Sequence, residues 1–202
     1  MKATHREDGA LIQGADIPSS YSWLIARELG LTSRQLPTLL QGTELGVAQF
    51  LGEDSMLTAA QQVRILRNGL MLSGRPEFGL RLGKRLTPAT PGAMGFAAYS
   101  APDLLTALHA IHTFLPTRAS FIELHLRQAE VHLECELKFQ VPLDADIHRC
   151  LADTMAKVLL EFGEFITDPA QEDDAGPTAG HAERRRSGGI AVHEQAHLGT
   201  QA

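Results

Sequence analysis

Cysteine is nearly absent from this chain, with only Cys135 and Cys150 among 202 residues. At most one bridge can form, which excludes a disulfide scaffold and makes a reducing cytoplasm the simpler setting. Aromatic residues are sparse as well, at 5% with a single tryptophan, although 44% hydrophobic and 21% charged residues keep a globular balance. A chain of this length buries enough surface for one real core without a structural metal. Basic residues are the minority, 18 against 24 acidic, for a net charge of −6. Such a surface is not built to neutralise phosphates, so nucleic acid is not an expected direct partner. No apolar run approaches the about 20 residues of a membrane span, and Met1 to Asp8 lacks the apolar core of a secretion signal. The expected location is the cytoplasm.

What is present divides into three parts. Residues 1–18 are polar and without periodicity, and are expected to form a flexible leader. Apolar spacing begins at Trp23 and lasts to Thr167. Residues 168–202 turn acidic and then Gly/Arg-rich with few large apolar side chains, the composition of a mostly disordered tail. Within the body, Thr58 and Gln61 have capping-box spacing, Val63, Leu66 and Leu70 follow on one helical face, and Gly74 ends it. Pro76 restarts the chain, and Phe78, Leu82 and Leu86 at four-residue intervals predict a short helix over Pro76 to Arg85. Ala93 to Tyr99, small and apolar, predicts a buried strand. Asp103 caps a helix whose stripe is Leu104, Leu108, Ile111 and Leu115, stopped by Pro116.

Two runs of strict alternation follow, Ile122 to Arg127 and Val131 to Leu137, the pattern of a hairpin with one apolar face. A turn at Gln128-Ala129 pairs residues whose numbers sum to 257. Ile147, Leu151, Val158 and Phe162 mark a long closing helix from Asp146 to Thr167. The predicted class is α+β: N-terminal helices packed with a small antiparallel sheet, then a long closing helix and a disordered C-terminal tail.

Several motifs carry chemistry at face value. Ala26 to Gln41 reads as a helix-turn-helix around Gly30, but Pro37 falls in the second turn of the reading helix and only Arg27 and Arg34 are basic nearby. A packed helical pair is the plainer reading. His193-Glu194-Gln195-Ala196-His197 matches the zinc-hydrolase pattern, in which two histidines one turn apart hold the metal and the glutamate is the base. A catalytic zinc needs a third protein ligand, and none of the five residues after His197 is His, Asp, Glu or Cys. In the 257 register His125 faces His132 and Glu123 faces Glu134, a conceivable metal face set against the plainer reading of a solvated sheet surface. Gly79 to Arg85 lacks the spacing of a phosphate loop, and Ser100 and Cys135 have no assignable base. No catalytic residue, metal or cofactor is assigned.

The stretch Pro76-Glu77-Phe78-Gly79-Leu80-Arg81-Leu82-Gly83-Lys84-Arg85-Leu86-Thr87-Pro88, then Gly92 to Ser100, the helix from Asp103-Leu104-Leu105, and Phe162-Gly163-Glu164-Phe165-Ile166-Thr167 resemble a known family. That family is the N-terminal effector-binding and dimerisation domain of AraC/XylS transcriptional regulators, in particular its ornithine-utilisation-regulator-like branch of arabinose-binding type. The resemblance spans Tyr21 to Thr167. It implies a non-enzymatic sensor of a small metabolite that forms a homodimer. It also implies a C-terminal half with two helix-turn-helix motifs that reads DNA, which the sequence after Thr167 does not resemble; a truncated regulator would look like this. Under this reading Phe96, Tyr99, His109 and His112, around the junction of the Gly92 to Tyr99 segment and the Asp103 to Leu115 helix, are the candidate ligand-binding residues.

Overall fold

The computed structural model describes residues 14–86, 90, 92–129, 132–167 and 190–193. Strand β1 (Ala15–Pro18) leads into helix α1 (Ser20–Glu28) and two single turns, α2 (Leu36–Leu39) and α3 (Val47–Phe50). Strand β2 (Met56–Thr58) then runs into α4 (Ala59–Ser73), followed by α5 (Phe78–Arg85), α6 (Ala93–Tyr99) and α7 (Leu104–Phe114). The hairpin β3 (Ile122–Gln128) and β4 (Leu133–Phe139), the long helix α8 (Ala145–Thr167) and a short strand β5 (Ile190–His193) complete the order. The class is α+β, with a long closing helix.

Local chemistry explains the helix ends. The Thr58 hydroxyl accepts from the Gln61 amide at 3.2 Å while the Gln61 side chain accepts from the Thr58 amide at 3.0 Å, so two donors at the start of α4 are satisfied reciprocally. Gly74 closes that helix at φ +59°, a left-handed conformation a side chain would strain. The Asp103 carboxylate caps α7 by accepting from the Thr106 amide at 2.7 Å. Pro116 converts the end of α7 into a single 3₁₀ turn, Leu115–Thr117.

Helices α5 and α8 lie in close contact because α5 carries glycine where the two backbones meet. A methyl added at Gly79 would be driven into the carbonyl oxygen of Cys150, and one at Gly83 would stand 2.8 Å from the carbonyl oxygen of Thr154. The Thr154 hydroxyl, 2.7 Å from the Cys150 carbonyl and 3.0 Å from that of Gly79, bridges the seam. Gly79 and Gly83, which lack phosphate-loop spacing, form a helix-packing surface.

Four expectations change. Ala93 to Tyr99 is a helix, not a strand: it holds no β-branched residue, and its alanines and methionine favour the helical backbone. Only one side of it is inside, with Ala98 buried and Phe96 60% exposed. The hairpin keeps its apolar face but pairs four residues further along β4, with His125 opposite Glu136, Arg127 opposite Glu134 and Glu123 opposite Lys138. That shift is even, so every side chain stays on its face, and it replaces Glu123 against Glu134 with Glu123 against Lys138 and Arg127 against Glu134. The end of the expected leader is a strand, because Ala15–Pro18 pairs antiparallel with Met56–Thr58 and buries Ile17, while residues 1–13 lie outside the described residues. One isoleucine in four residues gives no period to detect. Finally, Ile190–His193 of the tail extends the hairpin as a third strand, parallel to β4.

Candidate ligand-binding cavity

A cavity of about 130 Å³ lies where most of these elements converge. Its wall takes Ile17 from β1, Ile25 from α1, Leu66 from α4, Met94 from α6, Ile111 from α7 and Phe162 from α8. The periodicity of α8 explains its large share. Leu151, Met155, Val158 and Phe162 recur three or four residues apart, and that stripe faces inward along the helix. The glycine seam holds α8 against α5, which contributes Leu82.

The wall is almost wholly apolar. Its polar side chains are Tyr21, Gln62 and Thr154. The Gln62 oxygen accepts from the buried Ser22 hydroxyl at 2.6 Å, and the Thr154 hydroxyl is engaged by helix carbonyls. Tyr21 differs. Burial pushes its phenol above the ordinary tyrosine range, a hydrogen bond and the charge of Arg118 pull partly back, and it is a neutral phenol at physiological pH.

Around the cavity, the wall is fastened by polar ties. Glu28 at the end of α1 accepts from both Arg81 and Arg85 on α5, and its side chain is 5% exposed. Burial alone would raise that carboxyl, but the hydrogen bonds and charges of Arg85 and Arg81 outweigh it and hold it below the usual carboxylate range. Trp23 on the same helix donates to the Phe50 carbonyl at 2.7 Å.

The four residues named from sequence are not gathered into one site. Phe96 is exposed. Tyr99 packs its ring on Phe162 at 4.2 Å and on Phe165 at 4.5 Å, behind the wall rather than in it. His109 is exposed on α7. His112 places Nδ1 on the Leu124 carbonyl and ties α7 to β3. Their neighbours Met94, Gly95 and Ile111 line the cavity instead. Sequence reasoning passed over Tyr21, whose signal is its three- and four-residue spacing to Leu24 and Ile25 ahead of Trp23.

The remaining motifs fall as follows. In the Ala26 to Gln41 segment the second helix is four residues, Leu36–Leu39, with Pro37 in its only turn and both leucines buried. It is too short to lie along a groove and presents its apolar side to the core. His125 contacts Glu123 at 2.8 Å and His132 contacts Glu134 at 3.3 Å as separate pairs, because the register parts the two histidines. No group of three metal-ligating side chains gathers among the described residues. His193 ends strand β5 rather than opening a helix, and Glu194 to His197 lie outside the described residues.

One family model, described as the N-terminal arabinose-binding domain of the AraC transcription regulator, matches residues 34–172. No curated protein matches the chain. The matched span holds every wall residue of α4 to α8, whereas Ile17, Tyr21, Leu24 and Ile25 stand ahead of it.

Proposed function

We propose, from the premise that the chain belongs to the family of N-terminal arabinose-binding domains of AraC transcription regulators, that it senses a small apolar effector in the cavity between α1, α4 and α8. The observation that carries this reading is the chemistry of the wall. A sugar brings several hydroxyls, and each left unpaired in an apolar site costs about 1–3 kcal/mol. Two of the three polar wall residues already have internal partners. An engineered apolar cavity of about 150 Å³ accepts benzene, so a space of this size takes an apolar group of about six carbons.

Sensing follows from where the cavity lies. It touches helices that belong to different parts of the chain, so filling it changes the relative stability of their packed arrangements, and a ligand with differential affinity shifts that balance. The chain acts without catalysis, works in the cytoplasm and pairs with a second copy; the exposed Phe96, Phe114 and Leu160 support the last point. DNA contact belongs to other parts of the regulator, since the one helix-turn-helix-like segment of the described body has no reading helix.

A thermal-shift comparison of benzene and L-arabinose tests the reading. Benzene is expected to raise the melting temperature and arabinose to leave it unchanged, because a ligand at 100 times its dissociation constant adds about 2.7 kcal/mol. Filling the space with Ala119→Leu should abolish the benzene shift. Stabilisation by arabinose that Ala119→Leu removes would overturn the apolar assignment.

A further inference from the structure

Arg118 is the charged neighbour of the Tyr21 phenol. It follows the 3₁₀ turn Leu115–Thr117 and stands between two wall residues, Leu115 and Ala119. Its Nε is buried with no hydrogen-bond partner. Its guanidinium reaches Gly92, where an added methyl would lie 3.5 Å from Nη2, and two residues on Met94 joins the wall. Its hydrogen bond and charge act on the Tyr21 phenol, which is itself part of the wall. The guanidinium therefore sits at the edge of the cavity, between the start of α6 and α1.

Arg67 makes the contrast. It also has a buried, unpartnered Nε, but its Nη2 meets Asp144 at 2.5 Å. For Arg118 no ion pair forms among the described residues. A part-buried cation without a counter-charge is costly, and a fixed fork of donors is shaped for a carboxylate.

We propose that the effector is a small monocarboxylate whose apolar tail fills the cavity and whose carboxylate is held by the Arg118 guanidinium and the Tyr21 hydroxyl. One guanidinium balances one negative charge, the phenol adds a single donor, and the 130 Å³ behind them admits a tail of about six carbons. This inference rests on the cavity reading given above.

The test is titration calorimetry of the full chain with hexanoate, 1-hexanol and acetate. Hexanoate is expected to bind about tenfold or more tightly than hexanol, since a charge-assisted hydrogen bond counts for more than a neutral one, and acetate, lacking the tail, should not bind measurably. Arg118→Gln should weaken hexanoate about ten- to a hundredfold and leave hexanol unchanged, and Arg118→Lys should restore part of the loss. Equal affinity of the wild type for hexanoate and hexanol, or an Arg118→Gln protein that binds hexanoate as the wild type does, would overturn the head-group assignment while leaving the apolar cavity standing. Silence from both ligands would remove the cavity reading and the head-group assignment together. Should Arg118→Gln fail to fold, the wild-type ratio and Tyr21→Phe, expected to weaken hexanoate alone, decide the matter.

Discussion

Replacing Gly79 with alanine is the sharpest probe of how the cavity wall is built. In a helix this substitution normally stabilises by about 1 kcal/mol through backbone entropy. Here the new methyl meets the backbone of α8, not a side chain that can turn away: it would be forced against the Cys150 carbonyl and stand 2.9 Å from Cβ of Asp153. Ordinary contact requires α5 and α8 to part by about 1 Å, which loosens a seam that close packing otherwise holds. Overpacking of this kind costs about 1–3 kcal/mol and sometimes more, so the net loss should be about 1 kcal/mol after the helix gain is offset. For a chain of this size that lowers the melting temperature by about 2–4 °C. Thermal and urea unfolding followed by circular dichroism compare the variant with the wild type. A Gly79→Ala protein as stable as the wild type would refute the claim that glycine sets the α5–α8 distance.

Other consequences are open to measurement. Glu28→Gln should cost about 1–2 kcal/mol, because it removes one charge from a tie whose arginines remain half-exposed. The Glu28 carboxyl is held low in the folded chain, so its contribution is present above the ordinary glutamate pKa and is lost as pH falls through the lower folded value. Unfolding curves of the variant should therefore show a shallower fall in stability below pH 4.5 than those of the wild type. Burial, with Asp153 adding to it, pushes the Cys150 thiol up to about 12, and burial raises that of Cys135. A thiol reagent at neutral pH should find both unreactive in the native chain and both reactive in urea, and rapid native modification would contradict their placement. The hairpin register predicts that paired cysteines at His125 and Glu136 oxidise to a bridge on mild treatment, whereas paired cysteines at His125 and His132 do not.

Features confined to one stretch of chain were legible in the sequence. The Thr58 and Gln61 box, the Gly74 stop, the Asp103 cap and the α8 stripe each depend on residues a few positions apart, and the structure has all four. The alternation of β3 and β4 disclosed which face is apolar, since side-chain direction has a period of two. It did not disclose the register, because shifts of two keep the same face; the choice between them rests on which charges meet across the strands. Ala93 to Tyr99 misled because small buried residues look alike in a strand and in a helix pressed on its neighbours. The cavity was the least legible feature. Ile17, Ile111 and Phe162 meet in it from opposite ends of the chain, and empty space between well-formed stripes leaves no mark in any one of them. Arg118 is equally silent in sequence, where it is one arginine after a proline turn, and becomes informative only when its partners are counted.

The central claim is that a small molecule enters this apolar space, and the methionines provide the most direct reading of it. Of the five in the chain, Met94 and Met155 line the cavity, whereas Met56 and Met71 are exposed on β2 and α4. With methyl-labelled methionine, a carbon–proton correlation spectrum during titration with benzene should move the Met94 and Met155 signals together and leave those of Met56 and Met71 in place. Movement of Met56 or Met71 while Met94 and Met155 stay fixed would contradict the account.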